Sequence, residues 1–310
     1  SKGFGGEKIE PFQMYVEGQE WIGVPRFMGL EAYGPPKHMH LSNGAPMNPN
    51  IHFSWKIQNT PQKPQQAAID SWVRNGCSGV LCLPCGAGKT VIAVYLALLK
   101  HRRTLILVQN EGLMYQWVDR IRAICPDAKI GIIQQKKCEI DGMDFVIGMI
   151  QTVRVSTADF SSFGTVIVDE CHHIAAKTFS QSVMKTSPQN ILGLSATPER
   201  RDGLTYVIHW LLGPLVFKSE RKDFIPQHIT QIEYPYGNQK VIRYKTGVGI
   251  PTMVTRMTKD DRRNHLVHYC IKKLTATPGI DKIIVISDRR EHLELMNEEF
   301  GKSYNCGLYI

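Results

Sequence analysis

The sequence is poor in the features that would place it in a membrane or outside a cell. None of its 310 residues falls in an uninterrupted apolar run of the ~18 needed to span a bilayer. The opening Ser1-Lys2-Gly3-Phe4-Gly5-Gly6 carries no apolar signal-peptide core. The eight cysteines lie mostly far apart, without the regular spacing of a small disulfide-built scaffold. Cys82-Leu83-Pro84-Cys85 has the spacing of a redox or zinc motif, but no second such pair exists to complete a zinc site. Cys171-His172-His173 and His38-Met39-His40 are likewise short of ligands. There is no internal repeat and no low-complexity tract. A soluble intracellular protein in a reducing environment is the expectation. Acidic residues are also in deficit, 28 against 37 Lys plus Arg, for a net charge of +9. That balance suits a polyanion such as nucleic acid, although a basic enzyme with scattered lysines would show it too.

What is present has a clear rhythm. Short apolar runs at 80–83, 104–108, 129–133, 145–149, 165–168 and 191–194 alternate with helical stretches, as buried parallel strands do. Leu113, Met114, Trp117, Val118, Ile121 and Ile124 recur at helical spacing, which predicts an amphipathic helix covering one face of the sheet. The expected fold is α/β and doubly wound, with ligands beyond the carboxyl ends of the strands. After Pro214, Pro and Gly punctuate a linker-like segment. A helix over 260–274, a buried strand at 282–286 and a helix over 288–300 then predict the start of a second α/β domain. The first 55 or so residues disperse Gly, Pro and Asn among short runs, which predicts a small β-rich extension.

Three segments at strand ends carry chemistry. Leu83-Pro84-Cys85-Gly86-Ala87-Gly88-Lys89-Thr90 lies between a strand and a helix. Its glycines let backbone N–H groups wrap a phosphate, Lys89 reaches the terminal phosphates, and Thr90 offers a hydroxyl to Mg²⁺. The strict motif has glycine where Leu83 stands. The strand 165–168 delivers Asp169 and Glu170 to the same sheet edge, where one carboxylate can hold Mg²⁺ and the other can align or deprotonate water. Ser195-Ala196-Thr197-Pro198, continuing to Gly203, would alone be an ordinary turn.

In this order the three motifs resemble those of the superfamily-two helicases with a DECH-type second motif, Asp169-Glu170-Cys171-His172. The third motif is similar to that of DNA repair and transcription translocases. The stretches Met14–Gly18 and Val24–Gly29 look like the region ahead of the motor in the transcript-release helicases of poxviruses and related large DNA viruses. The resemblance implies a RecA-like ATPase domain over 57–220, preceded by the extension at 1–56. A linker and the truncated start of a second RecA-like domain would occupy 221–310.

ATP and Mg²⁺ are the implied cofactors. Gln66 looks like the adenine-reading glutamine, with Gln65 one position away as its rival. Pro84, Cys85, Gly86, Ala87, Gly88, Lys89 and Thr90 would bind ATP, Thr90 and Asp169 the magnesium, and Glu170 the water. His172, Ser195, Ala196 and Thr197 would couple hydrolysis to the polymer. Gln109, Asn110, Gln116, Gln151, Thr152, Ser287 and Arg289 would touch the nucleic-acid backbone. Trp117 belongs with Gln116 to the segment that resembles the family's first strand-contacting motif, and it is also at the spacing of a core residue. Asp261-Arg262-Arg263-Asn264 and Ser287-Asp288-Arg289-Arg290 also resemble family segments, with a solvated charge cluster as the equal competitor.

The resemblance implies an ATP-dependent DNA translocase or helicase, with DNA rather than RNA as polymer and transcription or replication machinery as partners. For a virus, the place would be the host-cell site of replication or the virion. The family's arginine finger lies in later motifs beyond residue 310, so this piece is expected to bind ATP and hydrolyse it slowly. An RNA remodeller, a P-loop transferase without polymer coupling, and a non-enzymatic clamp are the competing readings.

Overall fold

A computed structural model describes residues 12–172, 176–197, 203–219, 229–234, 243–244 and 247–308. The chain divides into two compact units, Ser1–Ile225 and Pro226–Ile310.

The first unit opens with a hairpin, β1 (Val16–Glu17) and β2 (Ile22–Gly23), then α1 (Arg26–Tyr33) and α2 (Gln65–Arg74). There follow β3 (Ser78–Cys82), α3 (Lys89–Lys100), β4 (Thr104–Val108), α4 (Glu111–Ile124), β5 (Ile130–Gln134) and β6 (Lys137–Cys138). β7 (Phe145–Met149), α5 (Ile150–Val155), β8 (Thr165–Val168), α6 (Ala176–Val183), β9 (Asn190–Ser195), α7 (Thr205–Leu212) and β10 (Leu215–Lys218) complete it.

Eight strands form one sheet in the order β10-β3-β9-β8-β4-β7-β5-β6, parallel throughout except for β6 against β5. Burial on both faces explains the nearly continuous apolar strands. Successive side chains alternate between two cores. Leu81, Ile106, Ile147, Ile167 and Leu192 face a cluster with α2, α3 and α4. Val80, Leu105, Val146, Val166 and Ile191 face the one shared with α5, α6 and α7. Trp72 of α2 is fully buried and donates its indole N–H to the Ile191 carbonyl at 3.1 Å. This doubly wound, mostly parallel sheet is the RecA-like architecture expected.

The N-terminal extension, expected to be small and β-rich, contains one short hairpin and also α1, which the dispersed Gly and Pro concealed. The extension is fastened to the eight-stranded sheet domain. Phe12, Met14 and Phe27 pack on the second core, and Asp144 accepts from the Asn48 and Lys129 amides at 2.8 and 2.9 Å.

One strand was missed and one expectation needs correction. β10 lies within the expected 57–220 bounds and runs parallel to β3 as an edge strand, though the apolar runs above do not include it. Four residues after a proline look like linker until a neighbouring strand supplies their hydrogen bonds. In the second unit, β11 (Arg243–Tyr244) pairs with β12 (Gly247–Val248), followed by α8 (Ile250–Thr258), α9 (Asp261–Thr275) and α10 (Arg290–Gly301). The predicted buried strand at 282–286 is not one. Among the described residues nothing pairs with it, and Ile284 and Ile286 are each 84 % exposed. An apolar run becomes a buried strand only where neighbours take up its backbone groups and cover its faces.

No helix among the described residues is long and apolar enough to cross a membrane.

Candidate active site

Strands β3, β9 and β8 are adjacent in the sheet, so three motifs separated in sequence emerge side by side at their carboxyl ends. The phosphate loop follows β3. Leu83 continues that strand, donates its N–H to the Ser195 carbonyl at 2.9 Å and buries its side chain completely. Its φ is not positive, so glycine is not needed there. Gly86 and Gly88 do have left-handed φ values, 82° and 88°. Gly86 faces open space, whereas a Cβ on Gly88 would come within 2.3 Å of Gln65 Nε2. Gly88 leads into α3, whose unpaired first N–H groups make a ready anion site.

Lys89, in the first turn of α3, is held between motifs. Its Nζ donates to Glu170 Oε1 at 3.1 Å and to the Leu83 carbonyl at 3.5 Å. Glu170 stands at φ 44°, an uncommon backbone for a non-glycine residue. Its other oxygen, Oε2, is buried without a hydrogen-bond partner and lies 3.5 Å from His172 Nδ1. His172 Nδ1 is also 2.8 Å from Ser195 Oγ, which accepts from the Thr197 amide at 3.1 Å and donates to the Thr197 carbonyl. His172 and Ser195 thus link the second and third motifs. His173 and residues 198–202 of the third motif lie outside the described residues.

Asp169 is buried, and desolvation raises its carboxyl above the ordinary range. The largest opposing influence is the hydrogen bond that Oδ2 accepts from Trp117 Nε1 at 2.8 Å. Oδ1 accepts from the Glu170 amide at 3.0 Å. Two buried or half-buried carboxylates beside one ammonium, with one carboxylate oxygen lacking a hydrogen bond, make a site that a cation and a phosphate would balance together. Among the described residues no group of three or more His, Cys, Asp or Glu could enclose a metal. Mg²⁺ suits so open a donor set, since it commonly takes one or two protein oxygens and completes its shell from phosphates and water.

Of the two glutamines, Gln65 is the one at the loop. It is buried, its Nε2 donates to the Ala87 carbonyl at 3.0 Å, and its Oε1 accepts from the Gln58 amide at 2.9 Å. Gln66 turns away to Asp70 at 2.8 Å. Helical period was the available signal, because Ala68, Ile69 and Trp72 define the buried face of α2 and Gln65 shares it. Gln65→Ala should raise the dissociation constant of a fluorescent ATP analogue about five- to tenfold by freeing the loop. Gln66→Ala should leave it within about twofold.

Cys85 is exposed in the loop, whereas Cys82 is buried in β3, and burial pushes the Cys82 thiol up. Cys125, also buried, is raised to about 11. Nucleotide at about ten times its dissociation constant should therefore slow alkylation of Cys85 about tenfold. Peptide mapping should find Cys138 and Cys306 labelled equally with and without nucleotide, and Cys125 unlabelled in both.

The polymer-facing candidates divide. Gln151 Nε2 donates to the Gln109 carbonyl at 3.1 Å, and Thr152 Oγ1 accepts from the Gln135 amide at 3.3 Å. Gln109, Gln151, Thr152 and the unanticipated Gln135 thus gather beyond β4, β7 and β5. Gln116 is exposed on α4. Asn110 caps α4, its Oδ1 accepting from the Leu113 amide at 2.9 Å. In the second unit Arg289 is committed to α8, through Thr255 Oγ1 at 3.0 Å and the Pro251 carbonyl at 2.9 Å. Ser287 Oγ lies 2.9 Å from His292 Nδ1.

A family profile described as the res subunit of type III restriction enzymes matches residues 58–200. A protein of Acanthamoeba polyphaga mimivirus, provisionally named an ATP-dependent RNA helicase, is 31% identical over 98% of this chain and 60% of its own length. One of African swine fever virus with the same provisional description is 28% identical over 72% of this chain and 48% of that protein. A DNA 3'-5' translocase of Sulfurisphaera tokodaii is 29% identical over 54% of this chain and 37% of its own length. The chain thus spans between about a third and three-fifths of these relatives.

Proposed function

Because this chain belongs to the superfamily-two helicases, we propose that it is the ATP-hydrolysing part of a motor that tracks along the backbone of DNA. The observation that carries this reading is the Lys89–Glu170 contact, which joins the phosphate loop to the second motif across the sheet edge. A phosphate-binding loop alone would serve a transferase. The further link from Glu170 through His172 to Ser195 has no use in one.

Mg²⁺ held by Thr90 and Asp169 would neutralise charge on the phosphates when bound. Lys89 exchanges Glu170 for the terminal phosphates, and the released Glu170 carboxylate aligns or deprotonates the attacking water. His172 and Ser195 report the state of that carboxylate to the third motif. Gln109, Gln135, Gln151 and Thr152 offer small polar groups suited to sugar and phosphate rather than to base edges. Steps along one strand would follow from closure of two RecA-like domains on ATP and reopening after hydrolysis.

DNA is preferred on the form of the third motif and on the named translocase among the relatives, although two of the viral relatives carry RNA helicase names. The large-DNA-virus relatives support a role in viral transcription or replication. The deciding experiment measures ATP turnover by the full-length protein with no polymer, single-stranded DNA and RNA, beside strand displacement on overhung DNA and RNA duplexes. Stimulation by DNA above RNA is expected. Stimulation by RNA alone would reassign the polymer, and none by either would remove the motor reading.

A further inference from the structure

We propose that Trp117 is a positioning residue for the metal site, its indole N–H fixing the Asp169 carboxylate in the orientation that receives Mg²⁺. The inference rests on the ATP-site reading above and adds to it a residue that packing alone would assign to the core. Trp117 is 2 % exposed, among Met114, Val118 and Ile121 of α4. Packing would be served equally by an aromatic ring with no polar atom. The indole has one donor and no acceptor, and here it is spent on a carboxylate oxygen at 2.8 Å.

The contrast with Trp72 is instructive. That ring is as deeply buried, but its N–H goes to a main-chain carbonyl, an ordinary neutral hydrogen bond. The Trp117 bond is charge-assisted when Asp169 is ionised, and such bonds are roughly twice as strong. With Oδ1 taken by the Glu170 amide, both oxygens of Asp169 are anchored, one from its own loop and one from α4. A carboxylate so anchored does not swing toward Lys89 while the phosphates are absent.

α4 is capped by Asn110, which directly follows Gln109. Trp117 therefore sits on the helix that a polymer-facing candidate leads into, about two turns from its start.

The test uses ¹⁵N-labelled indoles in the protein, whose five tryptophans give five resonances, each assigned by Trp→Phe replacement. Adding Mg²⁺ to protein saturated with ADP should move the Trp117 resonance and leave that of Trp72 in place. In parallel, Trp117→Phe should retain the metal-free affinity for a fluorescent nucleotide. It should lose about tenfold of the affinity gained on adding Mg²⁺. An unmoved Trp117 resonance, or equal losses with Mg²⁺ and with EDTA, would reduce the residue to packing and overturn the proposal. If Trp117→Phe does not fold, the wild-type spectrum decides, its Trp117 peak assigned by elimination. Wild-type protein that gains no nucleotide affinity from Mg²⁺ would instead sink the ATP-site reading beneath it.

Discussion

Replacing Lys89 by Ala is expected to lower polymer-stimulated ATP turnover about 10²- to 10³-fold, the usual effect of removing one preorganised charge from a transferring phosphoryl group. Glu170→Gln should lower it about 10²- to 10⁴-fold, as loss of a general base does. The two should differ in binding. Lys89→Ala removes a phosphate ligand and weakens nucleotide affinity. Glu170→Gln frees Lys89 from its 3.1 Å partner and should leave affinity intact or improved. Their combination should cost little more than the worse single change, because the two groups act as one unit. The fold should survive both, since an ion pair with partial solvent access contributes little to stability. Phosphate release with saturating DNA, beside nucleotide titration and thermal melting, measures all three quantities. Undiminished turnover in either variant would end the assignment of the site.

Leu83→Gly is expected to destabilise the protein by about 3–5 kcal/mol, although it would bring the loop closer to the strict phosphate-loop pattern. The side chain of Leu83 is fully buried in the core that the sheet shares with α2, α3 and α4. Its backbone is an extension of β3, with its N–H bonded to Ser195 and no left-handed φ to relieve. Glycine would gain nothing at that position, while it would lose the buried contacts and add unfolded-state freedom. For a domain of this size the melting temperature should fall by roughly 10 °C. Nucleotide affinity in the fraction that remains folded should be little changed, because Gly86 and Gly88 supply the left-handed turns. A variant as stable as the wild type would mean that Leu83 is not the core residue its burial makes it.

Much of the first unit was legible because its signals are local and repeated. The apolar runs of β4, β7 and β8 were bounded to the residue, since a strand covered on both faces must be apolar along its whole length. The amphipathic period of α4 identified Met114, Trp117, Val118, Ile121 and Ile124 as its buried face, with Leu113 of the same pattern only partly buried. The phosphate loop and the Asp169-Glu170 pair could be placed at one sheet edge because each follows a strand of the same expected parallel sheet. In the second unit, the helices α9 and α10 were anticipated within one or two residues of their ends.

What sequence reading by itself determined is therefore the α/β class, the strands and helices with their own periodic burial, and the three loops at strand ends where the candidate site lies. Only the tertiary structure shows which of Gln65 and Gln66 meets the phosphate loop, because both are glutamines at adjacent positions and only one bonds Ala87. It alone made β10 a strand and left 282–286 unpaired among the described residues, because pairing depends on a neighbour elsewhere in the chain. It alone excused Leu83 from being glycine and joined Trp117 to Asp169 across 52 positions. Periodicity and motif are properties of consecutive residues. Hydrogen bonds between distant side chains, and the demand for a particular φ, exist only once the sheet has brought its strand ends together.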